Sequence, residues 1–159
     1  MKIAVMSDTH DHVENTKKAI KQSLDEGVER FIHAGDLCSP FMVKLFKNLK
    51  LDIVKGNNDA DIFRIMNLLE KNQYLHDELL VLEIKGLKIG VYHGTTQDIT
   101  IALRNSDYDI LITGHTHIKK QEIVNNCLHL NPGSVHGFDK EASFAILDLK
   151  NKEIQFHQI

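Results

Sequence analysis

The segment KIAVMSDTH, residues 2–10, decides the fold of this chain. It begins with a short apolar run of the kind found in strands that are buried on both faces. The run ends at Asp8 and His10, whose side chains can bind a metal ion. In an open α/β sheet, ligands bind beyond the carboxyl ends of the strands. The segment therefore predicts a central strand whose carboxyl end carries a functional site.

Four further apolar runs along the chain are built in the same way. They are RFIHA (30–34) before Gly35-Asp36, DIVK (52–55) before Gly56-Asn57-Asn58-Asp59, KIGVY (88–92) before His93-Gly94, and DILIT (109–113) before Gly114-His115-Thr116-His117. If the five runs are neighbouring strands, their ends bring two carboxylates, four imidazoles and one carboxamide to one place. That set of donors is sufficient for two metal ions.

The order of the remaining patterns predicts the fold class. Amphipathic or proline-initiated helices are predicted in the first half, at residues 15–26, 39–49 and 62–69. The second half favours hairpins, at 79–84 with 87–92, 121–124 with 128–130, and 144–149 with 153–157, besides a short helix at 98–105 and a buried strand at 110–113. No linker or repeat divides residues 1–159. We therefore expect a single domain of the α/β class, a four-layer α/β/β/α sandwich of two mixed β-sheets flanked by helices.

Composition excludes some classes of function and favours others. With 42% hydrophobic and 26% charged residues, the 159-residue chain has the composition of a soluble globular protein. A formal net charge of −3 gives no support to nucleic-acid or membrane binding. We expect a cytoplasmic protein, because no signal peptide or 18-residue apolar run occurs and Cys38 and Cys127 form no disulfide framework. The ten histidines stand out, since imidazole is the commonest protein metal ligand.

The motifs at the strand ends resemble those of a known enzyme family. DxH (8–10), GD (35–36), GNxD (56–59), His-Gly (93–94) and GHxH (114–117), in this order, resemble the calcineurin-like metallophosphoesterases. Within this family the chain resembles the small single-domain phosphodiesterase branch. It is short, and it has GNND where many members have GNHD or GNHE. The resemblance implies a metal-dependent phosphodiesterase that hydrolyses phosphodiester bonds by attack of a hydroxide bridging two divalent metal ions.

The same resemblance implies which residues bind the metals. The first ion would take Asp8, His10, Asp36 and His117, and the second would take Asp36, Asn57, His93 and His115. Asp36 would bridge the pair. Oxygen and imidazole donors without thiolate suit Mn, Ni, Fe or Zn. Two divalent ions, less two carboxylates and one hydroxide, leave a residual charge of about +1 that would attract an anionic substrate.

Two residues beside the ligands are predicted to be catalytic. Asn58 stands where GNH enzymes have a histidine, and its carboxamide cannot act as a general acid near neutral pH. It can donate a hydrogen bond to a phosphoryl oxygen, so leaving groups that need little protonation should be favoured. Asp59 is predicted to orient the loop, with a helix N-cap for the segment from Ala60 as the alternative.

The other histidines are not predicted to be metal ligands. His33 is predicted to be a hydrogen-bonded core residue, and His12 is a candidate for the rim of the pocket. His136 is interpreted as part of a plain turn after Asn131-Pro132-Gly133-Ser134. No role is predicted for the remaining three, His76, His129 and His157.

Three alternative functions stay open at this point. A phosphomonoesterase would need extra cations or a general acid for its dianionic substrate, which the motifs do not supply, although Arg64 or a lysine could come from a loop. A non-catalytic interaction scaffold, such as the retromer subunit of similar fold, is disfavoured because all seven ligand positions are filled. A nuclease would show a basic stripe, and none is present. The expected partner is a small-molecule phosphodiester; the natural substrate, the native metal and a homo-oligomeric state stay open.

Overall fold

The computed structural model describes residues 1–138 and 140–159. The strands are β1 (Lys2–Met6), β2 (Arg30–His33), β3 (Leu51–Val54), β4 (Gln73–His76), β5 (Leu79–Ile84), β6 (Leu87–Tyr92), β7 (Ile110–Ile112), β8 (Lys119–Val124), β9 (Cys127–Pro132), β10 (Ser143–Asp148) and β11 (Glu153–Gln158). The helices are α1 (Val13–Asp25), α2 (Ile62–Leu68) and α3 (Gln97–Arg104), with a 3₁₀ helix at Pro40–Phe46.

The strands form two mixed sheets. The first has the order β11-β10-β1-β2-β3-β4, in which β1 to β4 pair in parallel, β10 pairs antiparallel with β1, and β11 pairs antiparallel with β10. The second has the order β5-β6-β7-β9-β8, in which β6, β7 and β9 run parallel. In the first sheet the antiparallel pairs lie towards one edge and the parallel strand β4 forms the other edge, whereas in the second sheet β5 and β8, both paired antiparallel, form the two edges. The carboxyl ends of the parallel strands are therefore the natural place for a site.

Side-chain alternation divides the core between two faces of the first sheet. Ile3 and Val5 face the second sheet, where they pack with Ile89, Val91 and residues of β7 and β9. Ala4 and Met6 face the other way and pack with α1, the 3₁₀ helix and α2. Each central strand is thus buried on both faces, which explains its continuous apolar sequence.

The outer face of the second sheet carries the fourth layer. Gly90 of β6 is covered closely by the Tyr108 ring, and α3 lies over the same face. No side chain of α3 is fully buried, unlike those of α1. The predicted four-layer α/β/β/α sandwich is confirmed, with a loosely packed outer helix.

The structure differs from the sequence prediction in two elements. The segment predicted as a helix over 39–49 is a 3₁₀ helix that ends at Phe46, because Lys47 has a non-helical ψ of 133° and Asn48 has a left-handed φ of 64°. Strand β4 was not predicted, since it is a four-residue edge strand without a clear apolar alternation. Its buried Gln73 donates hydrogen bonds to the carbonyls of Phe46 and Leu49, at 2.7 and 3.3 Å.

None of the helices formed by residues 1–138 and 140–159 has the length and hydropathy needed to cross a membrane.

Candidate metal centre

The predicted ligands meet beyond the carboxyl ends of five parallel strands. Those on β1, β2 and β3 come from the first sheet, and those on β6 and β7 come from the second. Five of the seven ligands have left-handed backbone conformations, with φ between 40° and 67°: Asp8, His10, Asp36, His115 and His117. Each such non-glycine residue costs about 1–3 kcal/mol and persists only where its surroundings enforce it. The concentration of strain here is typical of a functional site.

Asp8 is a fully buried carboxylate surrounded by imidazoles. Its Oδ1 lies 3.4 Å from His117 Nε2 and 3.8 Å from His10 Nε2, and it accepts no hydrogen bond from the described part of the chain. Its Oδ2 accepts the backbone N–H of His115 at 3.0 Å. Burial alone would raise the pKa of Asp8, but His10 and His117 outweigh it and hold the pKa well below its usual range. Asp8 is therefore an anion with an orphaned oxygen aimed into the site.

Asp36 lies at the centre of the cluster. Its Oδ2 is 3.5 Å from His10 Nε2 on one side and 3.4 Å from His93 Nε2 on the other. Burial raises its pKa, but the neighbouring His93 ring and the hydrogen bonds from Asn58 outweigh that effect and lower the pKa to about 2. An ionised carboxylate between two groups of imidazoles has the geometry that a bridging ligand needs.

His93 shows why a cation fits between these groups. Its Nδ1 lies 2.7 Å from the carbonyl oxygen of Ala34, so Nδ1 must carry a proton and donate it. In the neutral ring, Nε2 then presents a lone pair to Asp36 Oδ2 and to Asn57 Oδ1, the latter 3.1 Å away. Burial lowers the pKa of His93, but the carboxylates of Asp36 and Asp8 outweigh burial and raise it. These acceptors are satisfied either by a second proton on His93 or by a metal ion.

The spacing of the donor atoms also fits a metal ion. Separations of 3.4–3.8 Å between imidazole nitrogens and carboxylate oxygens are too long for strong charge-assisted hydrogen bonds. Two donors that each lie about 2.1 Å from one ion are about 3.0–3.4 Å apart in tetrahedral or octahedral geometry. The donor set, which is oxygen and imidazole only, suits divalent transition metals.

The structure groups the donors in two sets. The ligand atoms of Asp8, Asp36 and His93 lie within 4.8 Å of one another, and so do those of a second set, His10, His117 and His136. His115 lies beside the first set, with its ring centroid 5.1 Å from that of His93. All seven predicted ligands are thus brought together, and one further histidine joins them.

His136 is the residue that sequence reasoning missed. Its ring lies 4.7 Å from that of His10 and 4.5 Å from that of His117, and its Nδ1 accepts the backbone N–H of Phe138 at 2.8 Å. The chain after Pro132 is tied to β1, because His136 N–H donates to the Asp8 carbonyl and Ser7 Oγ donates to the Gly133 carbonyl. The Asn-Pro-Gly-Ser turn was visible in the sequence, but its docking on β1 was not.

Asn58 contacts Asp36 directly. Its backbone N–H donates to Asp36 Oδ1 at 2.8 Å, and its side-chain Nδ2 donates to Asp36 Oδ2 at 2.7 Å. The carboxamide is therefore directed at the central carboxylate in this structure. To reach a phosphoryl oxygen, as proposed from the sequence, it would have to rotate away from Asp36.

Asp59 ties two loops together from inside. Its oxygens accept backbone N–H groups of Gly56 at 2.7 Å, Cys38 at 2.7 Å and Asp36 at 3.1 Å. This agrees with its predicted role in orienting the loop. The alternative of a helix N-cap is wrong, because Asp61 is the N-cap of α2.

Three other histidines belong to neither set of donors. His33 is fully buried beneath the site, its Nε2 lies 3.2 Å from Thr9 Oγ1, and burial lowers its pKa despite the nearby carboxylates. His12 is the N-cap of α1 and accepts the N–H of Asn15. His129, for which no role was predicted, is buried on the outer face of the second sheet.

Comparisons with known proteins agree with this geometry. A phosphodiesterase of Methanocaldococcus jannaschii is 39% identical over 159 residues, covering 96% of both chains. A probable metallophosphoesterase of Bacillus subtilis is 31% identical over 161 aligned residues, covering 95% of this chain and 86% of that protein. The structure of an archaeal phosphodiesterase superposes over the whole of both chains with a TM-score of 0.95 and 36% identity.

More distant structures share the fold alone. Vps29 of Entamoeba histolytica, solved in complex with zinc, superposes with a TM-score of 0.71 at 23% identity.

Residues 1–152 match the sequence profile described as the calcineurin-like phosphoesterase superfamily domain. With that match covering nearly the whole chain, this protein belongs to the calcineurin-like phosphoesterase superfamily.

Proposed function

We propose that this protein is a phosphodiesterase that depends on two divalent metal ions. The first ion would be held by Asp8, His10, Asp36 and His117, and the second by Asp36, Asn57, His93 and His115. When bound, the ions supply an activated water nucleophile and neutralise charge on the phosphoryl oxygens. The match to a phosphodiesterase of M. jannaschii over almost its full length supports the choice of reaction.

The observation that carries the proposal is the convergence of unsatisfied acceptors. His93 Nε2 faces oxygens of Asp36 and Asn57, which need either a second proton on His93 or a cation, and Asp8 Oδ1 lies buried without a hydrogen bond from the described residues. Burying unpaired acceptors and two carboxylates is costly unless a cation compensates them. A site of this kind is stable when it is loaded with metal.

The residues around the ions would hold and orient them. Asn58 fixes Asp36 through two hydrogen bonds, and Asp59 fixes the backbone on either side of it. The Ala34 carbonyl sets the tautomer of His93, so that Nε2 faces the site. Partners of this kind commonly change metal affinity or activity 10–100-fold when they are removed.

The charge balance favours a diester over a monoester. With a residual charge of about +1 at the metals, binding a monoanionic diester brings the net charge of the site to about zero. Binding a dianionic monoester would leave a net charge of about −1 that no side chain in the motifs compensates. Arg64, the cation considered from the sequence, belongs to α2 and lines a separate depression with Lys44 and Phe41. A monoesterase activity should therefore be the weaker one.

The test is hydrolysis of bis-p-nitrophenyl phosphate against p-nitrophenyl phosphate by protein loaded in turn with Mn, Ni, Fe, Zn and Mg. We expect faster turnover of the diester with a transition metal and loss of both activities with a chelator. The variant Asp107→Ala removes an exposed carboxylate that is paired with Lys88 and belongs to neither donor set. It serves as a control for the loss of a carboxylate elsewhere in the chain and should behave as wild type. Equal or reversed rates would favour a phosphomonoesterase, and no bound metal would favour a non-catalytic scaffold.

A further inference from the structure

A pocket of about 490 Å³ opens beside the metal centre, between α3 and the outer face of the second sheet. At one end it is lined by Gly94 and His115, which belong to the strand-end loops of the site. At the other end it is lined by Arg104 and Lys120. Its volume lies in the range of small-molecule sites. The pocket is therefore an extension of the metal centre along the sheet.

The floor of this pocket is polar where a sheet under a helix is usually apolar. In β9, Leu128 and Leu130 face the core between the sheets, so the alternate residues His129 and Asn131 face α3. His129 and Asn131 are 3% and 2% exposed, although both are polar. Both side chains are held by neighbours: His129 Nε2 lies 2.9 Å from Thr113 Oγ1, and Asn131 Nδ2 donates to the Gly114 carbonyl at 2.7 Å. The floor of the pocket is therefore a fixed polar surface.

The wall formed by α3 is polar as well. The residues of α3 that line the pocket are spaced at i, i+3, i+4 and i+7, which places them on one face: Gln97, Thr100, Ile101 and Arg104. Only one of the four is apolar. The face that would pack against the sheet in an ordinary α/β layer thus lines a cavity, which explains why α3 has no fully buried side chain.

The far end of the pocket has an excess of positive charge. Arg104 donates from Nη1 to Glu122 at 2.8 Å, and Lys120 lies 3.6 Å from the same carboxylate. Burial lowers the pKa of His129 even though Glu122 opposes it, so this ring is neutral near neutral pH. Two cations therefore share one anion. Arg104 Nε is buried and has no hydrogen-bond partner within residues 1–138 and 140–159.

We propose that this pocket binds one arm of the phosphodiester substrate and that Arg104 and Lys120 recognise a second anionic group on that arm. The inference rests on the proposed function and narrows its substrate class to diesters with a further phosphate or carboxylate. Along α3, Gln97 and Arg104 are separated by about 10 Å at 1.5 Å per residue, so the arm has the size of a nucleoside or a sugar. Arg104 and Lys120 both line the pocket, so their side chains are the cations available to such a group.

The first experiment measures binding, so that it does not depend on turnover. Calorimetry on the manganese-loaded protein would compare thymidine 5′-monophosphate with thymidine 3′,5′-bisphosphate. We expect the bisphosphate to bind roughly ten- to hundredfold more tightly, the effect of one hydrogen bond to a charged group. Arg104→Gln should remove most of this preference, and Lys120→Gln should reduce it.

The control is Lys88→Gln, which removes the same charge from the second sheet at an exposed pair with Asp107, outside the pocket. It should keep the wild-type preference. Equal affinity of wild type for the two nucleotides would overturn the inference, and so would a preference that both Arg104→Gln and Lys120→Gln retain. Thermal unfolding of each variant checks that the fold is kept, and Lys120→Gln serves if Arg104→Gln is unstable.

A kinetic comparison separates this inference from the proposed function. The p-nitrophenyl ester of thymidine 5′-phosphate, with and without a 3′-phosphate, would be assayed beside bis-p-nitrophenyl phosphate. We expect the 3′-phosphate to lower KM more than it changes kcat, Arg104→Gln to cancel that gain, and the control Lys88→Gln to keep it. Failure of all three esters would contradict the proposed function, whereas hydrolysis without any effect of the 3′-phosphate would contradict only the pocket.

Discussion

At the scale of single residues, Asn58 is the position that most separates this chain from the GNH pattern. Its two hydrogen bonds to Asp36, at 2.8 and 2.7 Å, make it a support for the central carboxylate. Replacement by alanine would keep the backbone bond but remove the side-chain bond. Because Asp36 is the proposed bridge between the two ions, we expect the Asn58 side chain to influence the affinity for both.

Asn58→Ala should weaken metal binding by roughly tenfold or more, because a hydrogen bond to a charged group contributes about 1.5–3 kcal/mol. Titration of the metal-free protein with Mn²⁺ by calorimetry would measure the effect. The neighbouring Asn57→Ala, which removes a proposed ligand, should lose about one equivalent of metal instead. Unchanged affinity in Asn58→Ala would show that the carboxamide does not support Asp36.

Asn58→His tests the same position for leaving-group chemistry. An imidazole placed beside the leaving oxygen can act as a general acid, which typically contributes 10²–10⁴-fold for poor leaving groups. Turnover of alkyl diesters should therefore rise more than turnover of p-nitrophenyl diesters. A crystal structure of the variant would check that the ring is placed correctly. If it is, an unchanged alkyl-to-aryl rate ratio would show that the missing general acid at position 58 does not explain the leaving-group preference.

At the scale of elements, the loop that joins β3 to α2 is held against the loop after β2. Asp59 accepts N–H groups from both loops, and Gly56 packs so closely that a Cβ there would collide with the Asp36 carboxylate. The two loops can therefore approach only where position 56 has no side chain. This close approach places Asn57 and Asp36 in one site.

Gly56→Ala should accordingly lower metal affinity and destabilise the protein, since the new methyl group must displace Asp36 or the loop. A destabilisation of about 1–3 kcal/mol is usual for overpacking. Gly86→Ala is the matched control: its Cβ meets nothing within 4 Å, although its φ of +78° adds backbone strain. Chemical denaturation should show both variants destabilised, but metal titration should show an effect only for Gly56→Ala. Equal metal affinity in the two variants would contradict the close-contact argument.

At the scale of the whole molecule, the candidate metal centre lies between the ends of the two sheets. Asp8, Asp36 and Asn57 follow strands of the first sheet, whereas His93, His115 and His117 follow strands of the second. Ions bound between them would connect the sheets at the open end of the inter-sheet core. The two buried carboxylates, Asp8 and Asp36, repel each other less when the ions are present.

Metal removal should therefore lower the midpoint of thermal unfolding. A ligand present at 100 times its Kd stabilises the folded state by about 2.7 kcal/mol per site, which corresponds to roughly 5–11 °C for a chain of this size. Differential scanning calorimetry with and without a chelator would measure the shift. Asp36→Ala, which removes the proposed bridge and should lose activity, should show little or no shift. A chelator-insensitive wild type, or two bound metals and near-normal turnover in Asp36→Ala, would contradict the assignment.

Much of the fold could be predicted from the sequence because its signals are local. Strand β1 and the hairpin of β5 and β6 were predicted with their observed bounds, since an apolar run and the Lys85-Gly86 turn define them. The helix predicted at 39–49 was wrong in type and length, and β4 was missed. Both elements depend on contacts with each other, through Gln73 and the carbonyls of Phe46 and Leu49, rather than on their own pattern.

By itself, the sequence determined the fold class and the position of the candidate site. Polar residues that directly follow buried parallel strands must lie at the carboxyl edge of the sheet, whatever the rest of the chain does. Only the tertiary structure decided what surrounds them. His136 reaches His10 and His117 because its loop docks on β1 through a hydrogen bond between Ser7 and Gly133, and the pocket exists because α3 stands over the polar face of β9. These arrangements join segments that are far apart in the chain, so no local pattern in the sequence encodes them.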